Sequence, residues 1–206
     1  FECVQALAPL EPSYVSVTYG AGGTTRALTH EAVATIHKHY GLNVAAHLTC
    51  VDASRAETLE VAEAYAAAGG TELVALRGDP PKGVAEFVPH PQGFANTVEL
   101  VEALAATGKF KIHVAAYPEP HPEAAHLLSD IHWLKRKVDA GASRAITQFF
   151  FEAETFLRFR DACVQEGISL PITPGLLPIT SWDGAKRFPA RCGAFVPPRL
   201  DESFHY

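Results

Sequence analysis

Polar side chains directly follow several short apolar runs of this sequence, in combinations that could bind a small ligand. The segment Arg77–Asp79 follows one run, and the prolines after it stiffen the exit from what would otherwise be a plain turn. Tyr117 and His121 follow another run, and the prolines around them hold both side chains at low entropic cost. Gln148 ends a third run and offers a donor and an acceptor together, which suits the edge of a heterocycle.

Two further runs end in less specific residues. The glycine-rich segment Thr18–Thr25 would let backbone N–H groups approach a ligand closely, although such a segment is equally typical of an ordinary loop. His47 has no second histidine or acid at helical spacing, so we expect no metal site there. The simpler interpretation is a histidine whose ring nitrogens form hydrogen bonds within the fold.

Three consecutive cations, Lys135 to Lys137, stand out in a chain whose net charge is −6. Any anionic ligand would need such a local basic patch. Successive residues of a helix point about 100° apart, so at most two of the three could address one ligand. A solvated helix face remains the alternative.

The apolar runs are predicted to be buried parallel strands, separated by helices and repeating about every 30 residues. The predicted strands are Tyr14–Thr18, Val44–Thr49, Glu72–Leu76, Ile112–Tyr117, Arg144–Phe149 and Pro171–Thr173. Phe1–Glu2 and Ser203–Tyr206 are predicted as two further strands. Eight strands predict an α/β fold, a (β/α)₈ TIM barrel forming one catalytic domain over residues 1–206, with its active site at the carboxyl ends of the strands. The alternative is a doubly wound sheet, but no GxGxxG motif follows any strand.

Composition excludes several classes of protein. Lysine and arginine number 17 against 23 acids, which argues against a partner that is nucleic acid or a membrane surface. Without an apolar run long enough to span a membrane, and without a signal peptide, we expect a cytoplasmic protein. The chain contains no methionine and opens with Phe1, so we expect segments to be missing near both ends.

Several of these runs together resemble methylenetetrahydrofolate reductases of the bacterial type. The resemblance is carried, in chain order, by SVTYGAGGTTR, AHLTC, ALRGDPP, AAYPEPHPE, LKRKVDAGASRAITQFFF and PITPGLLPIT. It implies a (β/α)₈ barrel that holds FAD non-covalently and is reduced by NADH or NADPH. The reduced flavin would then convert 5,10-methylenetetrahydrofolate to 5-methyltetrahydrofolate by ping-pong hydride transfer.

The resemblance also implies roles for single residues. Glu2 corresponds to the catalytic acid that assists opening of the substrate's imidazolidine ring, and Asp79 to a catalytic carboxylate near both flavin and pterin. Gln148 and Phe188, with Asp79, correspond to substrate contacts. The positions that match FAD contacts are Thr18, Tyr19, His47, Arg77, Gly78, Asp79, Tyr117, His121, Asp130, Arg136 and Lys137.

Two residues depart from the family's pattern. Trp133 stands where related chains often carry a small polar residue that contacts the cofactor, and Gly184 replaces a glutamine that can contact substrate.

Two other functions remain open. A Schiff-base aldolase would need a lysine at a strand's carboxyl end, whereas Lys111 lies at the amino end of the predicted strand Ile112–Tyr117. A non-catalytic flavin- or folate-binding barrel would most simply lack Glu2 or Asp79, and both acids are present. We expect the folate and the nicotinamide dinucleotide to be the small-molecule partners of a homo-oligomer, while the choice between NADH and NADPH stays open.

Overall fold

A computed structural model describes residues 1–19, 23–80, 87–124, 126–186 and 192–204; of residues 23–26 and 201 it describes the backbone alone. Strands and helices alternate along this part of the chain. The strands are β1 (Val15–Val17), β2 (Val44–Thr49), β3 (Glu72–Leu76), β4 (Lys111–Ala116), β5 (Arg144–Phe149) and β6 (Ile172–Gly175). The helices are α1 (Glu2–Leu7), α2 (Gly23–Tyr40), α3 (Arg55–Ala67), α4 (Thr97–Ala106), α5 (Leu127–Asp139), α6 (Ala153–Gln165), α7 (Trp182–Ala185) and α8 (Pro198–Phe204), with a short 3₁₀ turn at Ala8–Leu10.

The chain divides into two compact units, the first of which comprises residues 1–114 and 140–142. Its strands pair in parallel and in chain order, with Val15 opposite Val44, Ala45 opposite Glu72, and Glu72 opposite Lys111. Parallel neighbours end at the same edge of a sheet, so the residues that follow β1, β2 and β3 share one edge. The core of this unit contains the fully buried side chains Val33, Leu48, Leu73, Leu100 and Leu104.

A buried ion-pairing cluster lies between β3 and β4 in the first unit. Glu72 Oε2 and His113 Nε2 are 2.7 Å apart, and both side chains are almost fully buried. Lys111 Nζ lies 3.8 Å from the other carboxylate oxygen, and the ring of Tyr14 packs edge-on against His113 at 4.9 Å. These contacts link β3 and β4 to the residue that precedes β1, at positions that are not at the carboxyl edge of the sheet.

The second unit comprises residues 115–139 and 143–206. Its strands β5 and β6 are parallel, with Ala145 opposite Ile172. Helices α5 and α6 contribute Ile131, Leu134, Phe159 and Cys163 to its core.

Helix boundaries follow local capping chemistry. Ser54 and Glu57 form a capping box at the start of α3, in which each side chain accepts a hydrogen bond from the other residue's backbone N–H. Asn96 caps α4 by accepting from the N–H groups of Val98 and Glu99. These caps satisfy backbone donors that a helix start leaves unpaired, which is why both helices begin where they do.

The prediction of an α/β fold with parallel strands is confirmed, but the two terminal strands are wrong. Glu2 begins α1, where Gln5 N donates to Phe1 O at 3.0 Å, because a two-residue fragment gains more from a local helical turn than from a ladder. Ser203 lies in α8, which begins at Pro198, a residue preorganised for the first helical position. His205 and Tyr206 lie outside the described residues. The described residues form six parallel strands, so the eight-stranded barrel is not confirmed. The single domain over residues 1–206 stays a prediction.

No helix among the described residues is long and apolar enough to cross a membrane.

Candidate functional site

In the first unit, the predicted site residues follow neighbouring parallel strands. Thr18 comes directly after β1, His47 lies near the end of β2, and Arg77 comes directly after β3. The register places Val17 opposite Ala46 and Thr49 opposite Leu76, so the three strand ends lie side by side. The structure therefore brings Thr18, His47 and Arg77 to one edge of the sheet of this unit.

His47 is half-buried within β2. Desolvation lowers the pKa of its imidazole below the ordinary value of 6.5. The ring is therefore neutral at pH 7, with one nitrogen as a donor and the other as an acceptor. A neutral imidazole suits a hydrogen bond to a polar heterocycle better than a contact with a phosphate.

The turn after β3 is tightly packed at Gly78. This residue has φ of 89°, and a Cβ built there would lie 2.5 Å from Val51 Cγ1 and 3.0 Å from Thr49 Cβ. Glycine is required both by the positive φ and by the close approach of the segment after β2. The turn leaves Asp79 exposed and places the Arg77 guanidinium carbon 5.0 Å from the ring centroid of Phe87.

Two polar groups beneath this turn were not predicted as site residues. Burial raises the pKa of the Cys50 thiol to about 11, and its Sγ donates to the Arg77 carbonyl at 3.5 Å, so Cys50 is a neutral structural thiol. Thr49 Oγ1 is buried and has no hydrogen-bond partner among the residues that the structure describes. The polar end of the AHLTC run was the available signal for Thr49, but only the fold shows that its hydroxyl is buried.

In the second unit, the segment after β4 is tied to the start of α5. The Asp130 carboxylate accepts from His121 N at 2.9 Å, and the rings of Tyr117 and His121 meet edge-on with centroids 4.8 Å apart. These contacts bring together three residues predicted to bind the cofactor. Asp130 acts here as an anchor of that segment.

The two predicted cations of α5 have different environments. Lys137 is buried and its Nζ donates to the Ala115 carbonyl at 2.5 Å, while Arg136 is exposed. Burial lowers the pKa of Lys137 to about 8, although the nearby Asp130 carboxylate opposes this shift. The Arg136 guanidinium carbon lies 4.3 Å from the ring centroid of Trp133. Arg136 is therefore the more accessible cation for an anionic ligand.

The predicted substrate contacts are only partly described. Gln148 is half-buried in β5, and its Oε1 accepts from Phe149 N at 3.1 Å, which holds the amide group close to its own backbone. Gly184 lies in α7, where a Cβ would meet nothing closer than Ser181 Oγ at 3.5 Å. Phe188 lies outside the described residues.

Glu2 is not at the carboxyl end of a strand. It is exposed in the first turn of α1, where its negative charge interacts favourably with the positive end of the helix dipole. The described residues contain no group of three or more His, Cys, Asp or Glu side chains that could hold a metal ion.

Comparison with known proteins agrees with the strand-end motifs. The family model described as methylenetetrahydrofolate reductase matches residues 1–206. The chain belongs to the methylenetetrahydrofolate reductase family. It is 46% identical over 194 residues to a 5,10-methylenetetrahydrofolate reductase of Pectobacterium carotovorum subsp. carotovorum, covering 94% of this chain and 63% of that protein. It is 45% identical over 201 residues to the enzyme of the same name from Escherichia coli (strain K12), covering 98% of this chain and 66% of that protein.

A plant relative extends the family comparison. Methylenetetrahydrofolate reductase (NADH) 1 of Zea mays is 36% identical over 211 residues, covering 97% of this chain and 36% of that protein. The chain thus spans less than two thirds of the length of these three methylenetetrahydrofolate reductases.

Solved structures show the fold alone. A putative lyase/mutase from Burkholderia cenocepacia J2315 aligns with a TM-score of 0.58 at 16% identity, covering 99% of this chain and 87% of that one. An oxaloacetate acetylhydrolase aligns with a TM-score of 0.57 at 14% identity, covering 89% of this chain and 68% of that one. Both likenesses support the α/β architecture of alternating strands and helices.

Proposed function

We propose that this chain carries the catalytic chemistry of 5,10-methylenetetrahydrofolate reduction, with FAD as cofactor and NADH or NADPH as electron donor. The observation that carries the proposal is the match to named 5,10-methylenetetrahydrofolate reductases, at 46% identity over 94% of the chain. Strand-end placement of Thr18, His47 and Arg77 supports it, since ligands of α/β folds bind at that edge. The product is 5-methyltetrahydrofolate.

The described residues fit a flavin dinucleotide. FAD, when bound, would supply the hydride-transfer chemistry that links the nicotinamide to the folate in a ping-pong sequence. In the first unit, the neutral imidazole of His47 and the side chains of Thr18 and Tyr19 would hydrogen-bond the flavin, beside the turn made by Arg77, Gly78 and Asp79. In the second unit, the exposed Arg136 would pair with the pyrophosphate, while Asp130 and Lys137 hold the segment that contains Tyr117 and His121.

Four side chains would act on the folate. Glu2 would donate a proton to the ring nitrogen that leaves when the imidazolidine ring opens. The Asp79 carboxylate would stabilise the cationic iminium that this opening produces, because opposite charges attract strongly in a partly dehydrated site. Gln148 would bind the pterin edge through its amide, and Phe188 would pack on the substrate.

A visible absorption spectrum of the protein reconstituted with FAD is the first test. Bound oxidised flavin absorbs blue light, and a ligand at 100 times its dissociation constant stabilises the fold by about 2.7 kcal/mol. We therefore expect a yellow protein whose unfolding temperature rises with FAD concentration. A colourless protein without FAD-dependent stabilisation would contradict the proposal.

A second function, a non-catalytic flavin- or folate-binding protein, is favoured by the position of Glu2 on an exposed helical turn. Separate measurement of the two half-reactions distinguishes it from the reductase. In the reductase, Glu2→Gln should abolish folate reduction and leave NAD(P)H oxidation by an artificial acceptor nearly intact, since the proton donor serves only the folate. Glu31→Gln, an exposed acid on α2, is the matched control. A wild-type protein that binds flavin but reduces no folate would support the binding protein instead.

A further inference from the structure

Trp133 is a large aromatic side chain left 44% exposed on α5. The Arg136 guanidinium carbon lies 4.3 Å from the centroid of its ring, within cation–π distance. The other tryptophan, Trp182, is only 8% exposed and stacks on Phe204 with ring centroids 5.0 Å apart. Packing in the core therefore explains Trp182, but it does not explain Trp133.

Trp133 lies on α5 among residues that the proposed function places in or beside the cofactor site. Asp130 and Lys137 stand three residues before and four residues after it, and these spacings place all three on one helical stripe. Arg136, three residues after Trp133, is exposed and carries its charge beside the indole. An aromatic surface and an accessible cation thus lie together where a dinucleotide is proposed to bind.

We propose that the indole of Trp133 stacks on the adenine ring of FAD, so that α5 recognises the adenosine end of the cofactor. This inference rests on the proposed function, because it assigns one contact of the proposed flavin site. Arg136 restrains the indole by its cation–π contact, which lowers the entropy that the ring would lose on stacking. The same guanidinium can pair with the phosphate next to the adenosine, since arginine combines stacking with hydrogen bonding to phosphate.

Stacking explains why a tryptophan can replace a small polar residue at a cofactor contact. A base stacked on an aromatic side chain gains affinity through its π face and needs no particular hydrogen-bond partner. A polar side chain would instead contribute one hydrogen bond to the same part of the ligand. Tryptophan in place of a small polar residue at position 133 should therefore preserve FAD binding, and the affinity should then depend on the adenine ring.

Comparison of FAD with FMN isolates this contact, because FMN lacks adenosine. We expect Trp133→Ala to weaken FAD binding about 5- to 150-fold, the loss expected for one stacked base, and to leave FMN binding unchanged. Trp133→Phe should retain most of the FAD affinity, since phenylalanine also offers a ring face. Leu128→Ala removes another exposed apolar side chain of α5 and should change neither affinity. Titration calorimetry measures the dissociation constants of FAD and FMN for the purified wild-type protein and for each of the three variants.

Each of the other results would overturn the inference. Unchanged FAD affinity in Trp133→Ala would mean that no stacking occurs, and equal losses for FAD and FMN would mean that Trp133 supports the flavin end or the fold. Weaker NADH binding with unchanged FAD binding would assign the adenine to the electron donor. A wild-type protein that binds neither FAD nor FMN would refute the proposed function itself, whereas a protein that binds both with no difference for Trp133→Ala would refute only this contact.

Discussion

Replacing Gly78 by alanine tests whether the turn after β3 depends on close packing against the segment after β2. The substituted residue would keep a φ of 89°, a region that costs an L-residue about 1–2 kcal/mol. Its Cβ would also lie 2.5 Å from Val51 Cγ1 and 2.9 Å from Val51 Cβ, and overpacking of this kind costs about 1–3 kcal/mol. We therefore expect Gly78→Ala to lower the free energy of unfolding by about 2–5 kcal/mol.

Gly108→Ala is the matched control for this substitution. Gly108 has φ of 65°, and a Cβ built there meets no atom within 4 Å, so it bears the conformational cost without the contact. For a chain of this size, 1 kcal/mol shifts the unfolding temperature by about 2–4 °C. The overpacking cost of about 1–3 kcal/mol applies to Gly78→Ala alone. At about 2–4 °C per kcal/mol, the unfolding temperatures of the two variants should therefore differ by roughly 2–12 °C.

The double variant Gly78→Ala/Val51→Ala should recover part of the loss, because it removes the side chain that the new Cβ meets. Gly78→Ala should also weaken FAD binding more than Gly108→Ala does, since the turn positions Arg77 and Asp79. Equal destabilisation by Gly78→Ala and Gly108→Ala, with no recovery in the double variant, would refute the packing argument.

Three further predictions concern charged groups. Asp79→Asn should raise the reduction potential of bound flavin and slow the folate half-reaction about 10²–10³-fold, measured by redox titration and stopped flow, whereas Asp52→Asn in an exposed loop should do neither. Because the pKa of Lys137 falls from 10.5 to about 8 on folding, the unfolded chain binds more protons between these values and stability rises with pH across them, by up to about 3 kcal/mol. The free energy of unfolding of Lys137→Met, measured with urea, should lack this rise with pH. If the free energies of variant and wild type changed in parallel from pH 7 to 10, the assignment to Lys137 would be contradicted. Glu72→Ala should cost about 3–5 kcal/mol because it removes the buried carboxylate that pairs with His113, whereas Glu63→Ala, which removes a half-exposed ion pair, should cost less than about 1 kcal/mol in the same urea experiment.

Much of the fold could be predicted from local patterns. Strands β2, β3 and β5 begin and end at the predicted residues, because each is an apolar, β-branched run bounded by polar or turn-forming residues. Helix α3 begins at Arg55, where Ser54 and Glu57 supply capping within four positions of the sequence. The alternation of these elements suffices for the α/β class, since it depends on spacing along the chain alone.

The chain ends could not be predicted in this way. Glu2 and Ser203 were predicted to lie in strands that bring the count to eight, yet both lie in helices. A strand is stable only through hydrogen bonds to a neighbour, whereas a helical turn closes its own bonds. The same short segment can therefore adopt either structure, and only its surroundings decide.

The candidate site shows the same division. Residue types at the strand ends indicated which side chains could bind a ligand, but not which of them are accessible. Lys137 and Arg136 are adjacent in sequence, yet one is buried against the Ala115 carbonyl and the other is exposed over Trp133. The closeness of Glu72 and His113 likewise depends on the register of β3 and β4, which places residues about 40 positions apart in contact. Away from the chain ends, local spacing and residue type in the sequence were enough to predict the class of the elements and the candidate chemistry. The tertiary structure alone decided burial, pKa shifts and pairing, because these depend on which distant residues exclude water from one another.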